Sequence, residues 1–159
     1  MEFISPTRGR MNLDDIYQSI SSLVNDTPEY DFELIVGSDS QARDKDVCFV
    51  TALVLYQKGR GGQFFYRKEY EKINQSMRQR VFYETSKSLE LASEVKKRLS
   101  ADKSLDGKLK VEIHLDVGRK GPTKELINEV EGMVTGSGYE ARIKPDSYGA
   151  STVADKYTK

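Results

Sequence analysis

The chain is poor in the residues from which most reactive centres are built. Of its 159 residues, one is cysteine, Cys48, and one is histidine, His114. A single cysteine excludes an internal disulfide framework and any multi-cysteine zinc site. A single histidine excludes a histidine-rich metal centre and leaves a histidine-based triad only one candidate. Long apolar runs are lacking too. The longest, around Val47–Tyr56, falls far short of a membrane span, so no membrane partner is expected. The N-terminus does not have the basic-then-apolar layout of a signal peptide, which predicts a cytoplasmic location. Any chemistry must therefore lean on carboxylates.

Net charge is absent as well, with 25 Lys+Arg against 25 Asp+Glu. The neutrality is a cancellation between segments. Residues 1–57 carry 4 basic and 10 acidic side chains, residues 58–110 carry 14 and 7, and residues 111–159 carry 7 and 8. A basic middle third offers a phosphate-facing surface, although the same lysines and arginines also serve simply to solvate a long helix.

What is present is a regular alternation of elements over one domain, residues 1–159. Ile16, Ile20 and Val24 predict a short amphipathic helix over Asp14–Val24. Phe32–Gly37, Val47–Tyr56 and Gln63–Tyr70 read as three strands, the last two joined by a Gly-rich turn. Asn74 is a plausible N-cap for a helix running to about Leu99, with Val81, Thr85, Leu89, Ala92, Val95 and Leu99 in one stripe. Leu109–Val117 predicts a fourth strand, Gly121-Pro122 a helix start, Tyr139–Ile143 a fifth strand, and Ala150 onward a short closing helix. The pattern predicts a mixed α/β layer protein with a hairpin followed by βαβ crossovers. Cys48 reads as a buried small hydrophobe in its strand.

Four acids occupy unusual places. Asp39 and Asp116 each close a strand, where open α/β sheets bind ligands. Glu84 lies at the edge of the apolar stripe of the long helix, whereas Glu90 and Glu94 point away from it. Asp155 sits in the closing helix. Each alone suits an ordinary role as a turn former, strand end or surface acid. Together they suit a divalent cation, because Mg²⁺ prefers hard oxygen ligands and retains waters. Two such ions can orient an attacking water and stabilise the leaving oxygen of a phosphodiester. His114 shares a face with Asp116, suited either to a proton shuttle or substrate contact or to simple packing. Arg119, Lys120 and Lys124 follow Asp116 as possible phosphate contacts. The surrounding Gly118–Lys124 segment lacks the ending and spacing of a nucleotide-binding loop. Tyr66, Arg67, Lys68 and Tyr70 on the hairpin, with Arg60 in its turn, suit either a nucleic-acid surface or an edge strand guarded by cations.

Asp39 within Val36-Gly-Ser-Asp-Ser-Gln41, the block His114-Leu-Asp-Val-Gly118 and the terminal stretch from Lys144 to Lys159 resemble the YkuK family of bacterial ribonuclease H-like proteins, and Pro6-Thr7-Arg8-Gly9 also fits. The resemblance implies a ribonuclease H-like fold. It would have a five-stranded mixed sheet in the order 3-2-1-4-5, strand 2 antiparallel, flanked by helices and preceded by an extra N-terminal helix. It also implies a metal-dependent nuclease in which Asp39, Glu84, Asp116 and Asp155 hold Mg²⁺ or Mn²⁺, two ions in all, with Asp146 a rival for the fourth position. Ser40, Gln41, His114, Arg119, Lys120 and Lys124 are the expected contacts to a nucleic-acid substrate, whether RNA, DNA or hybrid. The alternative is an inactive module of the same fold that binds nucleic acid or a protein.

Overall fold

A computed structural model describes residues 2–73, 76–105 and 107–158 of the chain. Among the described residues, seven strands form one mixed sheet: β1 (Glu2–Ser5), β2 (Gly9–Asn12), β3 (Phe32–Ala42), β4 (Val47–Gln57), β5 (Gly61–Glu71), β6 (Val111–His114) and β7 (Glu140–Arg142). Their order across the sheet is β2-β1-β5-β4-β3-β6-β7. The helices are α1 (Leu13–Asp26), α2 (Met77–Ala101) and α3 (Ile127–Gly136), with a 3₁₀ turn at Lys124–Leu126 and a C-terminal π-helix at Gly149–Ala154.

The central five strands, β5-β4-β3-β6-β7, run in the expected 3-2-1-4-5 order. β4 is antiparallel to both neighbours, while β3, β6 and β7 are parallel. The sheet is nevertheless wider than five strands. β1 and β2 form an N-terminal hairpin through Phe3↔Met11 and Ile4↔Arg10, and Ile4 also pairs with Tyr66 of β5. Four-residue strands carry too few alternating positions to stand out as a period-2 signal, which is why the hairpin is silent in the sequence. Gly9 closes its turn at φ +78°, in the left-handed region that glycine adopts without strain.

Period-2 alternation divides the strands between two layers. Leu34 and Val36 of β3, with Leu53, Leu55, Phe65 and Ile113, face the main core. Onto them pack Ile16, Ile20 and Val24 of α1, Leu91, Ala92 and Val95 of α2, and Val130 and Val134 of α3. The opposite face is closed by the C-terminal segment, where Ala154 joins Cys48, Val50 and Ala52 beneath Tyr66, Val153 and Tyr157. Tyr157 stacks on Tyr66 at 3.9 Å between ring centroids. Cys48 is buried, as expected.

Helix starts follow their capping chemistry. Asn12 and Asp15 form a reciprocal capping box at α1, with Asp15 N to Asn12 Oδ1 at 2.8 Å and Asn12 N to Asp15 Oδ2 at 3.2 Å. α2 is capped by Ser76, whose Oγ accepts from Gln79 N. Asn74, the cap expected from the sequence, lies outside the described residues.

Three expected boundaries move. β3 continues five residues past Gly37, so Asp39 lies inside the strand. Its pairing with β4 holds register through Ala42↔Val47, and the polar Ser38 and Ser40 find partners on α2 in Ser88 and Glu84. β6 ends at His114, which puts Asp116 two residues beyond it. The helix expected from Gly121-Pro122 begins as the 3₁₀ turn and becomes α-helical at Ile127. The hairpin cations also divide. Arg67 is buried with its guanidinium over the Phe3 ring, whereas Lys68 and Tyr70 are exposed on the opposite face. Arg60 lies over the Tyr30 ring. Among the described residues, no helix is long and apolar enough to cross a membrane.

Candidate metal centre

The parallel pair β3–β6 supplies the base of the site. Their last paired residues are Gly37 and His114. Asp39 and Asp116 each lie two residues further on, so alternation returns both to the same side just beyond the carboxyl end of β6. Glu84 enters from α2. One carboxylate oxygen from each of Asp39, Glu84 and Asp116 lies within 4.8 Å of the others, and among the described residues this is the cluster with the spacing of metal ligands.

The fourth acid arrives by a different route. Asp155 follows the π-helix directly, and its side chain is in hydrogen-bonding range of Asp39. The π-helix lies against β3 because two glycines permit it. A Cβ on Gly37 would sit 2.6 Å from Ala150 N and from Gly149 C, and a Cβ on Gly149 would sit 2.8 Å from Ile35 Cγ2. His114 fastens the same contact: its Nδ1 accepts from Gly149 N at 3.1 Å, and its ring meets Tyr148 edge-on. Burial pushes the imidazole pKa down to about 4, helped by Arg142, so it stays neutral and keeps a lone pair for that bond. Asp146, the rival fourth acid, is exposed and acts electrostatically on His114 and Arg142.

Polar neighbours fix the cluster from below. Ser40 Oγ donates to Glu84 Oε2 at 2.5 Å, and Arg80 donates from Nε to Ser40 Oγ at 3.0 Å and from Nη2 to Ser40 O at 2.7 Å. Ser88 Oγ, Ser38 Oγ and Thr51 Oγ1 form a buried hydroxyl chain beneath, at 2.8 and 3.0 Å. Lys144 Nζ lies 3.1 Å from Asp116 Oδ1. Gln41, Arg119, Lys120 and Lys124 are exposed.

Without a counter-ion the cluster is electrostatically strained. Burial, reinforced by the Glu84 and Asp116 charges, holds the Asp39 carboxyl far above the usual carboxylate range. Burial likewise pushes Glu84 up to about 8, against the opposing pull of Ser40, Arg80 and Lys144. A divalent cation would reverse the penalty on each charge, and an all-oxygen donor set is of the kind that holds hard cations rather than soft ones.

Asp39, Glu84 and Asp116, singled out in the sequence, are thus brought together, with Asp155 beside them. Arg80, Lys144 and the Gly37–Gly149 contact are the parts of the site that sequence reasoning missed. Gly37 and Lys144 lie within the Val36–Gln41 and Lys144–Lys159 stretches, but only the approach of two backbones and of Asp116 gives them meaning.

A ribonuclease H-like family model matches residues 15–159. YkuK of Bacillus subtilis (strain 168), described as an uncharacterized protein, is 32% identical over 166 residues, covering 99% of this chain and 96% of its own. No solved structure matches significantly. With a mixed sheet whose central order is 3-2-1-4-5 and a family match across nearly its whole length, the chain belongs to the ribonuclease H-like family and, within it, to the YkuK family.

Proposed function

We propose that this protein is a divalent-metal-dependent nuclease that hydrolyses nucleic-acid phosphodiester bonds. The observation that carries the reading is the convergence of acids from four separate elements at the carboxyl end of a parallel strand pair, three of them within 4.8 Å. Asp39, Glu84, Asp116 and Asp155 would hold Mg²⁺ or Mn²⁺. When bound, the cation lowers the pKa of a coordinated water and offsets charge that builds on the phosphate.

The chain's own residues do the rest. Asp39 is buried on β3 and so gives the site a fixed ligand, with Glu84 oriented by Ser40 and Arg80. His114 acts on Asp155 by holding the π-helix. Gln41, Arg119, Lys120 and Lys124 follow Asp39 and Asp116 in the chain as exposed donors suited to phosphate oxygens, and contacts of this kind read backbone rather than sequence. The family's fold suggests nucleic-acid binding in general and supports the same substrate class.

The test is cleavage of labelled RNA, DNA and hybrid oligonucleotides with Mn²⁺, run beside Asp39→Asn and Asp116→Asn. Cleavage is expected only with metal, and each variant should fall to the metal-free background. Activity that survives both substitutions would refute the site. Salt-dependent binding with no cleavage of any substrate would instead identify a binding module of the same fold.

A further inference from the structure

The cluster already contains cations of its own, and their placement bears on how many metal ions it takes. Lys144 Nζ lies 3.1 Å from Asp116 Oδ1, and its charge is also felt at Glu84. The lysine is held there by more than its ion pair. Its backbone N donates to Val117 O at 2.9 Å, which ties it to the residue after Asp116. Its aliphatic stem crosses Gly118, where an added Cβ would come within 3.2 Å of Lys144 Cβ. Arg80 supplies a second positive charge, bonded to Ser40 and felt at Glu84.

We infer that the Lys144 ammonium stands in for a second metal ion, so that the site takes one divalent cation where the family resemblance implies two. The inference rests on the metal-binding reading above and goes beyond it in fixing the stoichiometry. Once metal binding has displaced the protons, the four ionised carboxylates carry −4, and Lys144 and Arg80 return +2. One dication brings the set to zero, whereas a second would leave it at +2 and would have to expel the lysine from Asp116. One oxygen from each of Asp39, Glu84 and Asp116 lies within 4.8 Å of the others, and of the three it is Asp116 that carries the Lys144 ion pair. The ion would then share the three acids while the ammonium stays on Asp116. In the reaction, Lys144 would provide N–H donors to a phosphate oxygen where a second ion would otherwise provide a coordination bond.

The experiment counts ions on the full chain. Metal-free wild type, Lys144→Met, Lys144→Arg and Asp39→Asn are titrated with Mn²⁺ by calorimetry, and electron paramagnetic resonance reports any exchange-coupled pair. Lys144 is about half exposed, so Lys144→Met is expected to fold, which a far-UV spectrum checks. One ion in wild type and in Lys144→Arg, two with a coupled-pair signal in Lys144→Met, and loss of high-affinity binding in Asp39→Asn are expected. Two ions in wild type, or one in both wild type and Lys144→Met, would overturn the inference and leave the metal reading standing. No binding in wild type, or binding indifferent to Asp39→Asn, would overturn both.

Discussion

Replacing Glu84 by Gln should make the metal-free protein more stable. Glu84 is 8% exposed, and burial pushes its pKa from 4.5 to about 8. At pH 7 the unfolded chain has released this proton and the folded chain retains it. The interval of 2.5 pH units, at 1.36 kcal/mol per unit, gives a penalty of about 3 kcal/mol against folding. Gln reproduces the protonated acid closely. It keeps an oxygen to accept from Ser40 and puts N–H₂ where the acid carries O–H, and it takes up no proton on folding. Part of the gain is lost to repacking and to the altered charge seen by Asp39, so about 2–3 kcal/mol is expected at pH 7, or roughly 5–10 °C in Tm for a chain of this size. The sign follows from proton counting. Between pH 4.5 and about 8 the native state binds more protons than the unfolded state, so wild-type stability falls as pH rises through that window. The gap between variant and wild type should therefore vanish below about pH 4.5 and widen to a plateau above pH 8. Urea denaturation in EDTA across that range measures it. Adding Mn²⁺ should stabilise wild type and do little for the variant. A Glu84→Gln protein no more stable than wild type at pH 7, or a gap that does not close in acid, would refute the electrostatic account.

Gly37→Ala should cost more than its single methyl suggests. Its Cβ would meet Ala150 N at 2.6 Å, so the π-helix must lift; destabilisation of about 1–3 kcal/mol and weaker Mn²⁺ binding are expected from thermal melts and titration. His114→Asn offers an oxygen close to the Nδ1 position and should retain Gly149 and most Mn²⁺ affinity, whereas His114→Phe leaves the Gly149 N–H unpaired, at about 1–3 kcal/mol, and should lower affinity through Asp155. Removing Arg119, Lys120 and Lys124 together should flatten the salt dependence of oligonucleotide binding by roughly two to three counter-ions, read from the slope of log K against log salt.

How much of this was legible in the sequence differs by scale. The long helices announced themselves because Ile16, Ile20 and Val24, and Val81, Ala92 and Val95, repeat on a helical stripe that the core uses. The central strands did so because β-branched and aromatic runs were bounded by Gly and Pro. The N-terminal hairpin was silent because its strands are too short for a period. Asp39 was legible from its neighbours but misplaced at a strand end, since the apolar run stops at Gly37 and the pairing with β4 does not. Lys144 was invisible in its role because an ion pair to Asp116 depends on the return of the chain after β7, a long-range event without local signature.

The order of synthesis gives the π-helix a further consequence. It follows every strand of the described residues, and Asp155 comes thirty-nine residues after Asp116. At 5–20 residues per second, a ribosome takes roughly 2–8 s to cross that interval. During that time the first three acids have been made, but neither the fourth nor the cover over Cys48, Val50 and Ala52. A nascent chain therefore carries a bare apolar face and an incomplete carboxylate set together, and the same few residues conceal the one and complete the other.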